Sequence, residues 1–453
     1  MKRISIITAI LTVVFSACDV LNVDPYHSLP ADQAITNAIE VERAILGCYD
    51  ALQSGSYYGL NYLVFGDLPA DNLRFSGVTI SYAEINNNNI LADNGLVEGV
   101  WISIYQVLNR VNNVVAQIPS IPNAIMSAEN KAIAKGELFF LRALAHYDLM
   151  RLFGPVPIRT QPVTGDEASL NIPRSPVDDV LKQINSDLDF AILYMPAAIV
   201  RGRASKPAAQ ALKARVALHQ YYITSQVEHL QTAITNASAV ISHPNLIIEP
   251  NYGILFSGLP NQESIFEIDF NEQDANRLAQ YFFYTSISGR YEFAPTEFYI
   301  NSFAPNDVRR DVSINFFGAN PYVFKYNDIE TGTDNVYVFR LAEMHLIRAE
   351  ARILHPTENN PDSIRADLNI IRERAGLIPI TSSNYAALLL EVESQRQKEF
   401  AFEGHRWFDL VRTGRAVDVL ENVTSINQTL FPIPLNEILA NDAIGQEDQN
   451  PGY

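Results

Sequence analysis

The chain has 453 residues, 47% of them hydrophobic, with 33 Lys and Arg against 51 Asp and Glu for a net charge of −18. A chain so rich in Leu, Ile, Val and Phe is not disordered; it folds around a sizeable core as one large domain or two closely packed ones. The acidic balance repels phosphate backbones and anionic lipid, and no basic stripe reverses it locally, which excludes nucleic acid as a partner.

Lys2 and Arg3 precede an apolar run over residues 4–15, followed by Ser16-Ala17-Cys18. That run falls short of the roughly 20 residues that span a bilayer and fits the h-region of a secretory signal. Residues 1–17 therefore read as a signal peptide. A cysteine after two small residues resembles the bacterial lipobox, whose thiol is acylated to become the mature N-terminus, with Phe15 standing where Leu is usual. Acyl chains gain about 0.8 kcal/mol per buried methylene and would hold the protein on a membrane. Residues 18–29, short and interrupted by Pro25, read as a lipidated tether, which leaves 30–453 as one domain. Cys48 then has no disulfide partner, and its apolar helical setting with Ile39, Ala44, Ile45 and Leu52 marks it as core.

Helical periodicity dominates from there. It runs over 36–53, then over 98–118, where Val100, Ile104, Val107, Leu108, Val111 and Val115 share a face. The block 128–153 carries Leu138, Leu141, Ala145, Leu149 and Leu152 and is stopped by Gly154-Pro155. Further helices are expected over 176–194, 206–222, 226–242, 340–355, 362–375, 386–403 and 406–421. Ala208, Ala211, Ala214 and Ala217, followed by Ala233, Ala237 and Ala239, let two antiparallel helices approach closely, in a pair about one tetratricopeptide unit long. The fold class is thus mainly α, a tetratricopeptide-like solenoid of helix pairs with long irregular insertions and a few short strands.

Two aromatic-rich stretches, 54–97 and 247–339, break the helical pattern and are the expected insertions. Within the second, 263–268 and 335–340 alternate with period two and read as short strands. Long loops in a compact helical domain are where binding residues concentrate.

Several motifs resemble one family. Gly136-Glu137-Leu138-Phe139-Phe140-Leu141-Arg142-Ala143, with Tyr147, Leu149 and then Gly154-Pro155-Val156-Pro157, is similar to the long signature helix of the SusD/RagB family. So are the stretches 340–351, 368–377 and 396–414, the last including Glu399, Glu403, Arg406, Trp407, Asp409 and Arg412, and the terminal Asn450-Pro451-Gly452-Tyr453. The resemblance spans nearly the whole mature chain in the expected order. It implies a lipid-anchored protein of the outer membrane facing the exterior, which captures a glycan and delivers it to a SusC-like TonB-dependent transporter. The alternatives are a peptide-binding RagB-like uptake protein and, well behind it, a glycoside-acting enzyme, which needs only two carboxylates placed by the fold.

The motif residues read as scaffold, because Glu399, Glu403, Arg406, Asp409 and Arg412 stand at spacings that let carboxylates and guanidiniums pair. No His-Glu-x-x-His, Gly-x-Ser-x-Gly, phosphate-loop or Cys-x-x-Cys spacing is present, so no catalytic residue, cofactor or metal ligand is assigned. His219, His229, His243, His345, His355 and His405 are scattered, and the Asn86–Asn89 run with Asp93-Asn94-Gly95 lacks calcium-loop spacing. Trp101 and Trp407 fall in scaffold helices, which leaves Tyr and Phe to stack on a ligand. The candidate ligand residues are Tyr57, Tyr58, Tyr62, Asp71, Asn72, Arg74 and Tyr82 from the first insertion, with Tyr281, Tyr284, Arg290 and Tyr291 from the second. Roughly half of them are expected to pack into the core instead.

Overall fold

The computed structural model describes residues 35–453; the signal segment, Cys18 and the tether 18–29 lie outside the described residues. The principal helices are α1 (Ala38–Asp50), α2 (Gly95–Gln117), α3 (Ala128–Phe153), α4 (Val177–Tyr194), α5 (Lys206–Thr224), α6 (Val227–Ile241), α7 (Leu341–Leu354), α8 (Pro361–Arg374), α9 (Tyr385–Phe400) and α10 (Arg406–Arg412). Their starts are chemically marked. Asn37, Asn94, Ser127, Ser205, Asn360 and Asn384 each accept from first-turn amides through the side chain, and Pro361 opens α8 where its missing N–H costs nothing. No helix among the described residues is long and apolar enough to cross a membrane.

From α2 to α8 each of these helices packs on the next, so that α3 lies along α4, α5 along α6, and α6 along α7 across the second insertion. This is the helix-pair solenoid. The alanines of α5 are buried, as are Ala233 and Ala237 of α6, which lets these two axes close up. Cys48 is buried in α1, and burial pushes its thiol up to about 12, so it is inert core. Trp101, Phe400 and Trp407 are likewise buried.

Two helix ends fall short of the periodic pattern. The block expected over 386–403 stops at Phe400, and the chain turns through Phe402 and Gly404, both with positive φ. The block expected over 406–421 breaks at Thr413-Gly414, where Gly414 adopts φ 70°, before a short helix Ala416–Val419. Apolar periodicity continues through both breaks, which is why the pattern alone does not reveal them.

The first insertion departs most from expectation. Residues 57–69 are buried, and Asn61–Phe65 is a helical turn of the core. A Cβ on Gly66 would stand 2.4 Å from the Cα of Gly404, so only glycine lets the insertion cross the turn after α9. The Trp407 amide then donates to the Gly66 carbonyl at 2.8 Å.

Among the described residues six short strands form three antiparallel ribbons. β1 (Leu73–Phe75) pairs with β3 (Phe293–Pro295), β2 (Ser264–Ile268) with β6 (Val336–Arg340), and β4 (Ile314–Phe317) with β5 (Asn320–Val323). The β2–β6 ribbon is the pair of alternating segments in the sequence, and it seats Arg340 at the end of α9.

Arg340 is 1% exposed and bonds Glu263 at 2.7 Å, Glu399 at 2.8 Å and Glu403 at 2.8 Å. Arg374 reaches Glu399 at 2.6 Å and Glu263 at 3.0 Å, and Lys325 reaches Glu403 at 3.0 Å. Removing one member of such a buried set strands the opposite charges and typically costs about 3–5 kcal/mol. Arg340→Met is expected to lower unfolding free energy by that order in urea titrations. A change within error would show that the network has no structural weight.

Burial opposes ionisation of Glu399, Asp367 and Asp409, yet Arg374 with Arg340, His345 with Arg348, and Arg396 with Arg412, respectively, hold these carboxyls below their usual range. A depressed carboxyl contributes stability that is fully present above the unfolded-state value near 4 and is lost as pH falls through the folded one. The urea midpoint is therefore expected to fall once the pH drops below about 4, whereas between about pH 7 and 4 the loss is opposed by Asp67 and Asp334, which burial raises to about 7 and about 6; a midpoint indifferent to acid throughout would contradict it.

Candidate functional site

The second insertion folds back on itself. The amides of Arg290, Tyr291 and Glu292 donate to the carbonyls of Gln280, Phe283 and Tyr281 at 2.7, 3.0 and 2.9 Å. The turn between them closes at Gly289, where a Cβ would meet the Phe283 carbonyl oxygen at 1.8 Å. Tyr291 takes φ 54°, a left-handed conformation that is strained for a ring-bearing residue. It is held there by Ser76 Oγ donating to its carbonyl at 2.8 Å and by its own hydroxyl donating to the Pro321 carbonyl at 2.9 Å.

The β1–β3 ribbon brings the first insertion alongside. Arg74 lies opposite Ala294 and projects an exposed side chain beside Tyr291. Burial raises the Tyr291 phenol, and the nearby Arg74 guanidinium opposes that rise. The β4–β5 hairpin adds its tip: Phe317 stacks on Tyr284 with centroids 5.1 Å apart and planes at 22°, and Tyr284 meets Tyr291 edge-on at 4.9 Å. Phe316 and Phe317 remain 42% and 40% exposed. The Arg310 guanidinium lies 5.8 Å from the Phe316 ring.

Beneath this surface Tyr281 stacks on Phe293 at 6.2 Å, and the Arg290 guanidinium lies over Tyr281 at 4.6 Å. Arg290 also approaches Glu292 at 3.5 Å. The result is an open aromatic platform with planar ring faces partly bare and guanidiniums at its margins. Such surfaces can lie against the C–H faces of a sugar ring and hydrogen-bond its substituents.

Arg74, Tyr281, Tyr284, Arg290 and Tyr291 thus come together from both insertions. The other candidates do not join them. Tyr57, Tyr58 and Tyr62 are buried with all three hydroxyls on Asp148 of α3, at 2.7 Å for Tyr57 and 2.8 Å for Tyr58, and Arg151 binds the same carboxylate at 2.6 Å. A buried carboxylate needs donors, and these three phenols supply them. Asp71 is taken by a bidentate pair with Arg406, two bonds of 2.7 Å, and Asn72 is buried between Asp67 and Gln397. Tyr82 packs edge-on to Phe293 at 4.7 Å and donates to Asn61 at 2.7 Å from inside the core.

Phe316, Phe317 and Arg310 were not among the candidates. The signal was present: two adjacent rings on a strand ending at Gly318 point to opposite faces, so at least one meets solvent. The larger concavities lie elsewhere. A cleft of about 250 Å³ runs beside β2, lined in part by Ile199, Arg201 and Phe266, and a groove of about 290 Å³ lies over Trp101, Tyr105 and Arg159. The Phe266 ring of the first and the Trp101 ring of the second are buried, and the half-buried Tyr105 is the partly exposed ring of the second. Among the described residues no group of three or more His, Cys, Asp or Glu is placed to hold a metal ion.

Comparison with known proteins gives a consistent result. Residues 262–422 match the sequence model of the SusD family, and residues 19–218 match one described as starch-binding and associating with the outer membrane. SusD-like proteins P25 and P2 of Formosa agariphila are 24% and 25% identical, aligned over 97% and 100% of this chain and of their own lengths. Among solved structures, a SusD superfamily protein from Bacteroides vulgatus superposes with a TM-score of 0.82 at 21% identity, covering 92% of this chain and 99% of its own. A laminarin-binding SusD-like protein gives 0.80 at 23% identity, covering 92% and 100%. With residues 19–218 matching one sequence model and residues 262–422 the other, the chain belongs to the SusD family.

Proposed function

We propose that this protein is a cell-surface nutrient-binding lipoprotein, anchored in the outer membrane through Cys18, which captures a glycan on the platform and passes it to a SusC-like TonB-dependent transporter. The observation that carries the reading is the ring cluster of exposed Phe317 with half-buried Tyr284 and Tyr291, assembled from segments far apart in sequence and bordered by Arg74. The names of solved relatives support it: one is laminarin-binding, and another is surface glycan-binding protein A from Bacteroides thetaiotaomicron, matched at a TM-score of 0.78 and 19% identity over 92% of this chain and 100% of its own. The description of a matched family model, with its outer-membrane association, supports the location. The reading is binding without turnover, because the exposed platform offers rings and guanidiniums and no carboxylate pair poised across a cleft.

Replacing Cys18 by Ser is expected to release the protein from the outer-membrane fraction. Partition at the wild-type level would mean that lipid on Cys18 is not the anchor.

Tyr284→Ala and Phe317→Ala are expected to weaken glycan binding several-fold, since an exposed stacking ring contributes on the order of 1 kcal/mol, while melting temperature stays close to wild type. Tyr57→Phe is expected to do the reverse, lowering stability by about 1 kcal/mol through the lost bond to Asp148 and leaving affinity unchanged. Calorimetry beside thermal melts reads both, with the recovered glycan checked for length. Shortened products at rates of about 1 per second or more would make the protein an enzyme; binding of peptides alone would favour the RagB-like alternative.

A further inference from the structure

The charge around the platform runs against the charge of the molecule. In a chain of net −18, most buried arginines are consumed by carboxylates: Arg142 by Asp187, Arg215 by Glu343, Arg309 by Asp307, Arg406 by Asp71 and Arg412 by Glu350. The platform arginines are different. Arg74 is exposed, and among the described residues no carboxylate stands within 4 Å of its guanidinium. Arg290 has a side chain 45% exposed, and its carboxylate neighbour Glu292 is 3.5 Å away and 2% exposed. The Glu292 oxygens are already taken by the amides of Val78 and Thr79 and by the Thr79 hydroxyl. Arg290 therefore keeps donors for solvent. Arg310 beside Phe316 adds a third guanidinium, paired only with its exposed neighbour Asp311 at 3.0 Å.

An exposed arginine is ordinarily just a solvated residue. Here Arg74 and Arg290 are brought to one ring cluster by the β1–β3 pairing and a folded-back turn, while Arg310, beside Phe316, lies on the other face of β4 from Phe317. A guanidinium also has a specific preference: its planar fork matches carboxylate and sulfate oxygens two bonds at a time, whereas a sugar hydroxyl engages one donor. Long-range repulsion between an acidic protein and an acidic ligand is screened beyond about 8 Å at physiological salt, so the local guanidiniums decide the outcome at contact.

We infer that the glycan taken at this platform is an acidic one, bearing carboxylate or sulfate groups, with its ring faces on Tyr284 and Phe317 and its anionic substituents held by Arg74 and Arg290. The inference rests on the glycan-binding reading of the platform. It adds the chemical class of the ligand.

The test uses the full lipidated protein in detergent, titrated calorimetrically with oligogalacturonate, with a sulfated galactan fragment, and with neutral fragments of laminarin and starch of matched length. At least one acidic fragment is expected to bind more tightly than either neutral one and to weaken as ionic strength rises. Which acidic fragment binds separates the carboxylate source from the sulfate source. Arg74→Gln and Arg290→Gln are each expected to reduce that affinity about tenfold, the loss of one charge-assisted pairing, with melting temperature unchanged. Acidic binding that survives both substitutions overturns the assignment to these guanidiniums. Neutral fragments that bind as well as acidic ones, indifferent to salt and to both substitutions but lost in Tyr284→Ala, overturn the acidic class and leave the glycan reading standing. No binding of any glycan, acidic or neutral, overturns both.

Discussion

The buried Arg340 guanidinium is the joint on which the rest of the molecule is hung. It stands where the solenoid resumes after the second insertion, at the last residue of β6, and binds one glutamate from the insertion and two from the end of α9. Four cations, Arg309, Lys325, Arg340 and Arg374, face four anions, Asp307, Glu263, Glu399 and Glu403, so the cluster is neutral as a whole. Desolvating that many charges costs nearly what their attraction returns, and well-packed apolar residues could match it in stability. What apolar residues could not match is direction. Forked hydrogen bonds admit one orientation, and the orientation they fix is that of the insertion on the solenoid.

That orientation reaches the aromatic platform by short covalent paths. Arg309 precedes β4 by a single helical turn and Lys325 follows β5 by one residue, so both ends of the hairpin that carries Phe316 and Phe317 are clamped in the network. On the other side β1 is fixed by Asp71 to Arg406 and Asn72 to Gln397 of the motif helices. The charges of the C-terminal motif thus act at a distance. They do not touch the platform; they set the separation of the two strands from which its residues project.

This division also explains what could be read from sequence. Periodicity exposed the solenoid because helices such as α1, α2, α4 and α6 bury one continuous stripe, although α3 is buried on nearly every side of its second half, and the alternating segments 263–268 and 335–340 exposed the ribbon that holds Arg340. The site was legible only in part. Arg74, Tyr281, Tyr284, Arg290 and Tyr291 come together, whereas Tyr57, Tyr58 and Tyr62 turned inward. Local composition does not mark that difference, since inward-turned Tyr62 is followed by Leu63-Val64-Phe65 and platform Tyr281 by Phe282-Phe283. The cause is Asp148, about ninety residues away on α3, a carboxylate whose burial is decided by helix packing and which then recruits the nearest phenols. A tyrosine's direction here depends on an acceptor that short-range pattern cannot see.

The surface that results is preset rather than adaptable. Tyr291 sits at φ 54°, which for a ring-bearing residue costs on the order of 1–3 kcal/mol, and it is held by bonds to Ser76, Phe283 and Pro321. With its backbone and hydroxyl both tied, the ring is fixed, and Tyr284 and Phe317 are fixed against it in turn. Ordering a flexible side chain on binding costs roughly 0.5–1.5 kcal/mol, so a platform whose rings are already placed avoids most of that loss. The strain is sustained by the folded scaffold, and its return is a set of ring faces that need not move to meet a rigid, extended ligand.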